Sequence, residues 1–125
     1  MSYLLDTSVL LRYLDAPEGL PEPVLSVFED KNARIWASAA SFFEIAVKKA
    51  MKKAKIPENL PEIVTLSGIP VLDIAPEHAW KTLRLPYHHT DPYDRLLLAQ
   101  AACEGLTIIT ACPHLDAYGI PLLKA

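Results

Sequence analysis

The stretch "HHTDPYDRLLLAQA", residues 88–101, opens with two carboxylates, Asp91 and Asp94, and then turns almost wholly apolar. Asp91 is placed as an N-cap, Pro92 at the first helical position and Gly105 at the stop, so the spacing predicts a helix between them. A negative charge at Asp94, near the third helical position, favours the helix dipole. Yet Asp94 shares a helical face with Leu97, Leu98 and Ala101, at i+3, i+4 and i+7, and that face turns towards a core. "LTIIT" (106–110) follows at once, so a helix runs straight into a short apolar strand.

The same alternation extends outward in both directions. "SYLLD" reads as a buried strand followed by an apolar helix over roughly residues 8–14. "PEPVLSVFEDK" reads as a second helix with prolines in its first turn, and "ARIWAS" as the next strand. "AASFFEIAVKKAMKKA" has helical spacing, with Phe43, Val47, Ala50 and Ala54 along one side. "ENLPEIVTLSG" is a short helix ending at Gly68, "IPVLDI" a strand, and "PEHAWKTLRL" a helix. "GIPLL" near the end suits an edge strand, where Pro121 is tolerated. Strands that are apolar throughout and alternate with helices predict a mostly parallel sheet covered on both faces, with four to five strands.

Length and composition agree with one domain spanning residues 1–125. No apolar run approaches the roughly 18 residues of a membrane span. The start, "MSYLLDTSVLL", has no basic region and carries an acid inside its apolar stretch, which argues against a signal peptide. Cys103 and Cys112 make neither a disulfide framework nor a zinc cluster and read as free thiols in a reducing cytoplasm. The net charge of −3 carries no global signature of nucleic-acid binding, but "VKKAMKKAK" (47–55) holds five lysines, which leaves −8 on the rest of the chain. A basic stripe on an acidic body is compatible with phosphate contact, and equally with a solvated helix end.

Ligands of open parallel sheets gather beyond the carboxyl ends of the strands, and polar residues recur there: Asp6, Thr7 and Ser8 after "YLL", Ser38 after "RIWA", Thr110 after "LTII". Each acid has an ordinary explanation. Asp6 and Asp91 fit helix caps, and Ser41 with Glu44 matches the S-x-x-E capping box. Taken together they weigh differently. Asp6, Glu44 and Asp94 all sit among apolar neighbours, and a like-charged pair at about 4 Å costs ~4 kcal/mol at an effective dielectric near 20. Either some are protonated or a cation neutralises the group, and oxygen-only ligands point to Mg²⁺ or Mn²⁺.

"LLDTSVLL", "SAASFFEIAVKK", "HHTDPYDRLLLAQA" followed by "LTIIT", and "YGIPLL" together resemble PIN-domain proteins, most closely the VapC toxins of type II toxin–antitoxin pairs. The signature H-x-D-P-[FY]-D-R-L-L-x-A-Q-A, His89 through Ala101 here, is its most specific part. The resemblance implies a three-layer α/β/α fold and a Mg²⁺- or Mn²⁺-dependent endoribonuclease. It implies Asp6 as central metal ligand, Glu44 and Asp94 as the second and third acids, and Asp91 as a nearby fourth carboxylate or a cap. Ser8 would bond a metal ligand or a bound water, Thr110 would support the site, and Arg95 would brace the carboxylates or meet a phosphate. A VapB-like antitoxin, an RNA substrate and a homodimer are the implied partners. With a nuclease centre adjacent, Lys48, Lys49, Lys52 and Lys53 become candidates for the RNA backbone.

One position departs from the pattern. The family reads T-x-D after the fourth strand, whereas this chain has Thr110-Ala111-Cys112. Thiolate is a poor ligand for hard cations, so Cys112 weakens a second metal position unless Asp116, or less well His114, swings in. The alternative is a catalytically impaired protein of the same fold that binds antitoxin or RNA without cleaving. His88, His89 and His114 fit no helix-face pair and read as surface or hydrogen-bonding residues, and Trp36 and Trp80 as core or interface. Tyr13, Leu14, Leu20, Val24 and Phe28 form an apolar helix pair, either core or part of a groove for an antitoxin helix.

Overall fold

The computed structural model describes residues 1–53 and 55–125. Five strands, β1 (Ser2–Leu5), β2 (Arg34–Ser38), β3 (Val71–Leu72), β4 (Thr107–Thr110) and β5 (Leu122–Lys124), form one sheet in the order β3-β2-β1-β4-β5. All four pairings are parallel. The crossovers are α1 (Thr7–Asp15), α2 (Glu22–Glu29), α3 (Ala39–Ala50), α4 (Leu60–Leu66), α5 (Pro76–Lys81) and α6 (Pro92–Glu104). Three 3₁₀ turns add η1 (Pro17–Gly19), η2 (Thr82–Arg84) and η3 (Pro113–Tyr118).

Period-two alternation explains why the strands are apolar throughout. Leu5 and Ile109 enter one core with Val9, Leu10, Val24, Ile45 and Val64, while Leu4 and Ile108 enter the other with Leu97, Leu98, Ala101 and Leu115. Both faces are covered, giving the expected three-layer α/β/α architecture of the PIN type. The N-terminal pair closes the first core: Leu20 and Val24 are buried, and Tyr13 stacks on Phe28 with ring centroids 3.9 Å apart. Among the described residues no helix is long and apolar enough to cross a membrane.

Two elements differ from expectation. The helix over "AASFFEIAVKKAMKKA" stops at Ala50, and Ala54 lies outside the described residues. Lys52 adopts a left-handed conformation (φ 58), its N–H bonds Lys49 O at 2.9 Å, and Lys53 N–H bonds Lys48 O at 2.9 Å. That is a Schellman motif, which ends the helix before Lys52 and Lys53. The strand expected over "IPVLDI" shrinks to Val71–Leu72, pairing only with the end of β2.

Strand order places the functional end of the sheet. From β1 the chain moves outward through β2 to β3, then returns to the other side of β1 for β4 and β5. The order therefore reverses between β1 and β4, and the crevice above their carboxyl ends is where such sheets receive ligands. Asp6 and Thr110 stand at that point, with Asp6 N–H bonded to Ile109 O at 3.0 Å.

Candidate functional site

Asp6 is buried and fully engaged. Its Oδ1 accepts from Val9 N–H at 2.8 Å, capping α1, and from Ser8 Oγ–H at 3.2 Å. Its Oδ2 accepts from the wholly buried Thr110 hydroxyl, which in turn accepts Cys112 N–H at 2.9 Å. This chain ties β1 to β4 across the switch point. The cap and the candidate ligand are the same side chain.

Glu44 is also buried. The Thr7 hydroxyl lies 2.8 Å from Glu44 Oε1 and 2.9 Å from Ser41 Oγ, and its single hydrogen serves the carboxylate best. Ser41 is thus a link in this chain and not half of a capping box: the N-cap of α3 is Ser38, whose side chain accepts from Ala40 N–H. Glu44 Oε2 meets Lys48 Nζ at 2.6 Å. That hydrogen bond raises the Lys48 ammonium above its ordinary pKa against the opposing effect of burial, with Asp91 and Asp94 adding to Glu44's charge.

Asp94 stands in the first turn of α6, where Asp91 Oδ1 caps the helix by accepting from Tyr93 N–H (2.8 Å) and Asp94 N–H (3.1 Å). Burial raises the Asp94 carboxyl above the usual range, and the charges of Asp91 and Glu44 push the same way. His89 opposes them, its Nε2 lying 2.8 Å from Asp94 Oδ2. The mutual influence of Glu44, Asp91, Asp94 and Lys48 places all four in one electrostatic neighbourhood on the crevice wall.

The three acids do not collapse onto a single point. Among the described residues, donor atoms all within 4.8 Å of one another come from His89, Asp94 and Cys112, and separately from Glu77, His78 and Glu104. Asp6 and Glu44 are engaged by their own hydroxyl and ammonium partners. Cys112 does stand beside Asp94, at the position where the family pattern carries an acid.

Three expectations are corrected. Arg95 is buried and turned away from the acids: its guanidinium donates to Thr82 O (2.8 Å), Leu85 O (3.0 Å) and Pro86 O (2.9 Å) and lies over the Tyr87 ring at 3.9 Å. It fixes the segment between α5 and α6, because three carbonyls on one loop match its planar fork. Asp116 pairs with Lys124 at 2.8 Å on the exposed side of η3 and does not replace the acid missing at residue 112. Lys48 and Lys49 are not open phosphate donors, since Lys48 holds Glu44 and Lys49 Nζ bonds Ile56 O; Lys52 and Lys53 are exposed. His89 is a hydrogen-bonding residue, as expected: it holds Asp94 and stacks on His114 at 5.3 Å.

Thr7, Lys48 and His89 are the contributors that sequence reasoning undervalued. The signals existed: Thr7 adjoins Asp6, Lys48 lies four residues after Glu44 on one helix, and His89 opens the signature.

An acid-lined crevice at the switch point of a five-stranded parallel sheet marks an α/β protein of the open, parallel-sheet class. The PIN domain family matches residues 3–118, and the chain belongs to that family. Among solved structures it is similar to VapBC2 from Rickettsia felis bound to a DNA fragment from its promoter (TM-score 0.76, 18% identity, covering 100% of this chain and 99% of that one). It is similar also to DNA-bound VapBC from Salmonella typhimurium (0.74, 21%, 99% and 98%) and to VapBC-5 from Mycobacterium tuberculosis (0.60, 20%, 98% and 96%). At these identities the likeness is one of fold. No curated protein matches the chain by sequence.

Proposed function

We propose that this chain is the VapC-type toxin of a type II toxin–antitoxin pair, an endoribonuclease that uses Mg²⁺ or Mn²⁺ to hydrolyse RNA phosphodiester bonds. The observation that carries the reading is the placing of Lys48. Four carboxylates, Asp6, Glu44, Asp91 and Asp94, border the crevice; Lys48 Nζ pairs with Glu44 at 2.6 Å, and the charges of Asp91 and Asp94 add to Glu44's in raising its pKa. An all-oxygen donor set from Asp6, Glu44 and Asp94, with Asp91 near, fits a hard divalent ion. When bound, such an ion lowers the pKa of a coordinated water and neutralises charge on the scissile phosphate.

The chain's own residues do the positioning. Thr110 and Ser8 fix the Asp6 carboxylate, Thr7 fixes Glu44, and His89 orients Asp94. Lys52 and Lys53 are exposed beyond the end of α3, which supports assigning them to the RNA backbone. The antitoxin partner is supported by the two-component VapBC assemblies that share the fold. A groove lined by Leu11, Leu14, Ile56, Leu60 and Ile63, with Arg12, Asp15 and Lys55 also in its wall, offers an amphipathic segment a seat. A homodimer and a cytoplasmic location belong to the same reading.

Cys112 favours a second reading, in which the protein binds antitoxin or RNA without cleaving. RNA cleavage by the purified protein under Mn²⁺ titration separates the two. Cleavage that Asp6→Asn abolishes supports the enzyme, and cleavage that arises only after Cys112→Asp supports the impaired protein.

A further inference from the structure

Among the described residues, one group of donor atoms that stand together consists not of the three acids but of a nitrogen, an oxygen and a sulfur. His89, Asp94 and Cys112 each offer one ligand atom, all within 4.8 Å of one another, and each side chain is half-buried. They come from three separate places: the loop before α6, the first turn of α6, and the residue that caps η3 after β4. Each is braced from behind. His89 N–H donates to Tyr118 Oη at 3.0 Å, Cys112 N–H bonds Thr110, and Asp94 N–H bonds Asp91. The His89 ring is further held by its stack on His114.

We propose that His89, Asp94 and Cys112 form a binding site for a borderline-soft divalent ion of the Zn²⁺ class, sharing Asp94 with the acidic crevice. Ligand atoms around a tetrahedral zinc, with bonds of about 2.0–2.3 Å, lie roughly 3.3–3.8 Å apart, so the His89–Asp94 pair, at 2.8 Å, opens by roughly half an ångström and the Cys112 sulfur closes by about 1 Å at most. Imidazole and thiolate both prefer such ions to Mg²⁺, and three protein ligands leave a fourth position open. On binding, the Cys112 thiol proton leaves to solvent and the imidazole proton moves to Nδ1, so that Nε2 turns from donor to Asp94 into metal ligand. The site stands on its own geometry and does not require the ribonuclease reading.

Cobalt(II) titration of the reduced protein, without RNA, tests this directly. The expected result is a thiolate-to-cobalt charge-transfer band that saturates at one ion per chain and is displaced by Zn²⁺. Cys103→Ser keeps the band and Cys112→Ser loses it. His89→Ala weakens binding beyond the roughly 10–100-fold that loss of an outer-shell partner costs. Cys112→Asp serves as a second variant with an intact ligand position: it should lose the band yet bind Mn²⁺ more tightly than the parent, with an unchanged circular dichroism spectrum. No band in the parent, a band surviving Cys112→Ser, or undiminished binding in His89→Ala would overturn the proposal, whatever the outcome of the RNA assays.

Discussion

Replacing Thr110 by Val keeps the shape of a wholly buried residue and deletes one hydroxyl that makes two bonds. The bond donated to the Asp6 carboxylate is charge-assisted, worth roughly 1.5–3 kcal/mol when its acceptor stays buried. The Cys112 N–H loses its acceptor at a half-exposed position, adding roughly 0.5–1 kcal/mol. Together these predict a loss of roughly 2–4 kcal/mol, which at ~3–5 °C per kcal/mol for a domain of this size lowers the melting temperature by roughly 6–20 °C. Thermal unfolding followed by circular dichroism in chelator reads this part alone. Repeating the melt with Mn²⁺ reads the positioning role. At a metal concentration of about 100 Kd the parent gains about 2.7 kcal/mol, and a roughly 10–100-fold weaker variant gains only about 0.4–1.4 kcal/mol. A variant that melts within about 2 °C of the parent in chelator, and responds equally to Mn²⁺, would refute the claim that Thr110 tethers Asp6 across the switch point.

Asp94→Asn should make the metal-free protein more stable, by a few degrees at neutral pH. Because the folded carboxyl is raised above its unfolded value, chiefly by burial, its stabilising contribution is full below the unfolded pKa and is lost as pH rises through the folded one. The advantage of Asn should therefore grow from acid to neutral pH in melts run in chelator, while Mn²⁺ no longer raises the melting temperature. Arg95→Met should cost roughly 3 kcal/mol or more, since it orphans three carbonyls, but should leave the metal affinity of the folded protein unchanged by calorimetry. Lys52→Gly should stabilise by about 0.5–1 kcal/mol by relieving a left-handed lysine. It should also flatten the salt dependence of single-stranded RNA binding by about 0.7 in log–log slope if Lys52 meets a phosphate.

What the sequence made legible was periodic or capped. α6 runs from Pro92 to Glu104 because Asp91, Pro92 and Gly105 each act locally, and Gly105 takes the left-handed conformation (φ 67) that its position demands. The strands were readable because parallel strands buried on both faces leave no polar alternation to confuse them. What was not legible depended on partners distant in sequence. Nothing near Arg95 announces that its fork will close on three carbonyls between Thr82 and Pro86, and its neighbour Asp94 made an electrostatic role look natural. Lys52 could not be recognised as a helix stop, because left-handed lysine has no sequence signature of the kind glycine supplies. The acids show the same division within a single side chain. Asp6 and Asp91 were readable as caps, and caps they are. That Asp6 and Thr110 meet at one end of the sheet arises from the reversal of strand order between β1 and β4, a property of topology. A cap and a cation ligand ask the same thing of a carboxylate, that it be held at a fixed angle by backbone N–H groups. At a switch point, where helices begin just above the strands, one hydrogen-bonding arrangement serves both demands.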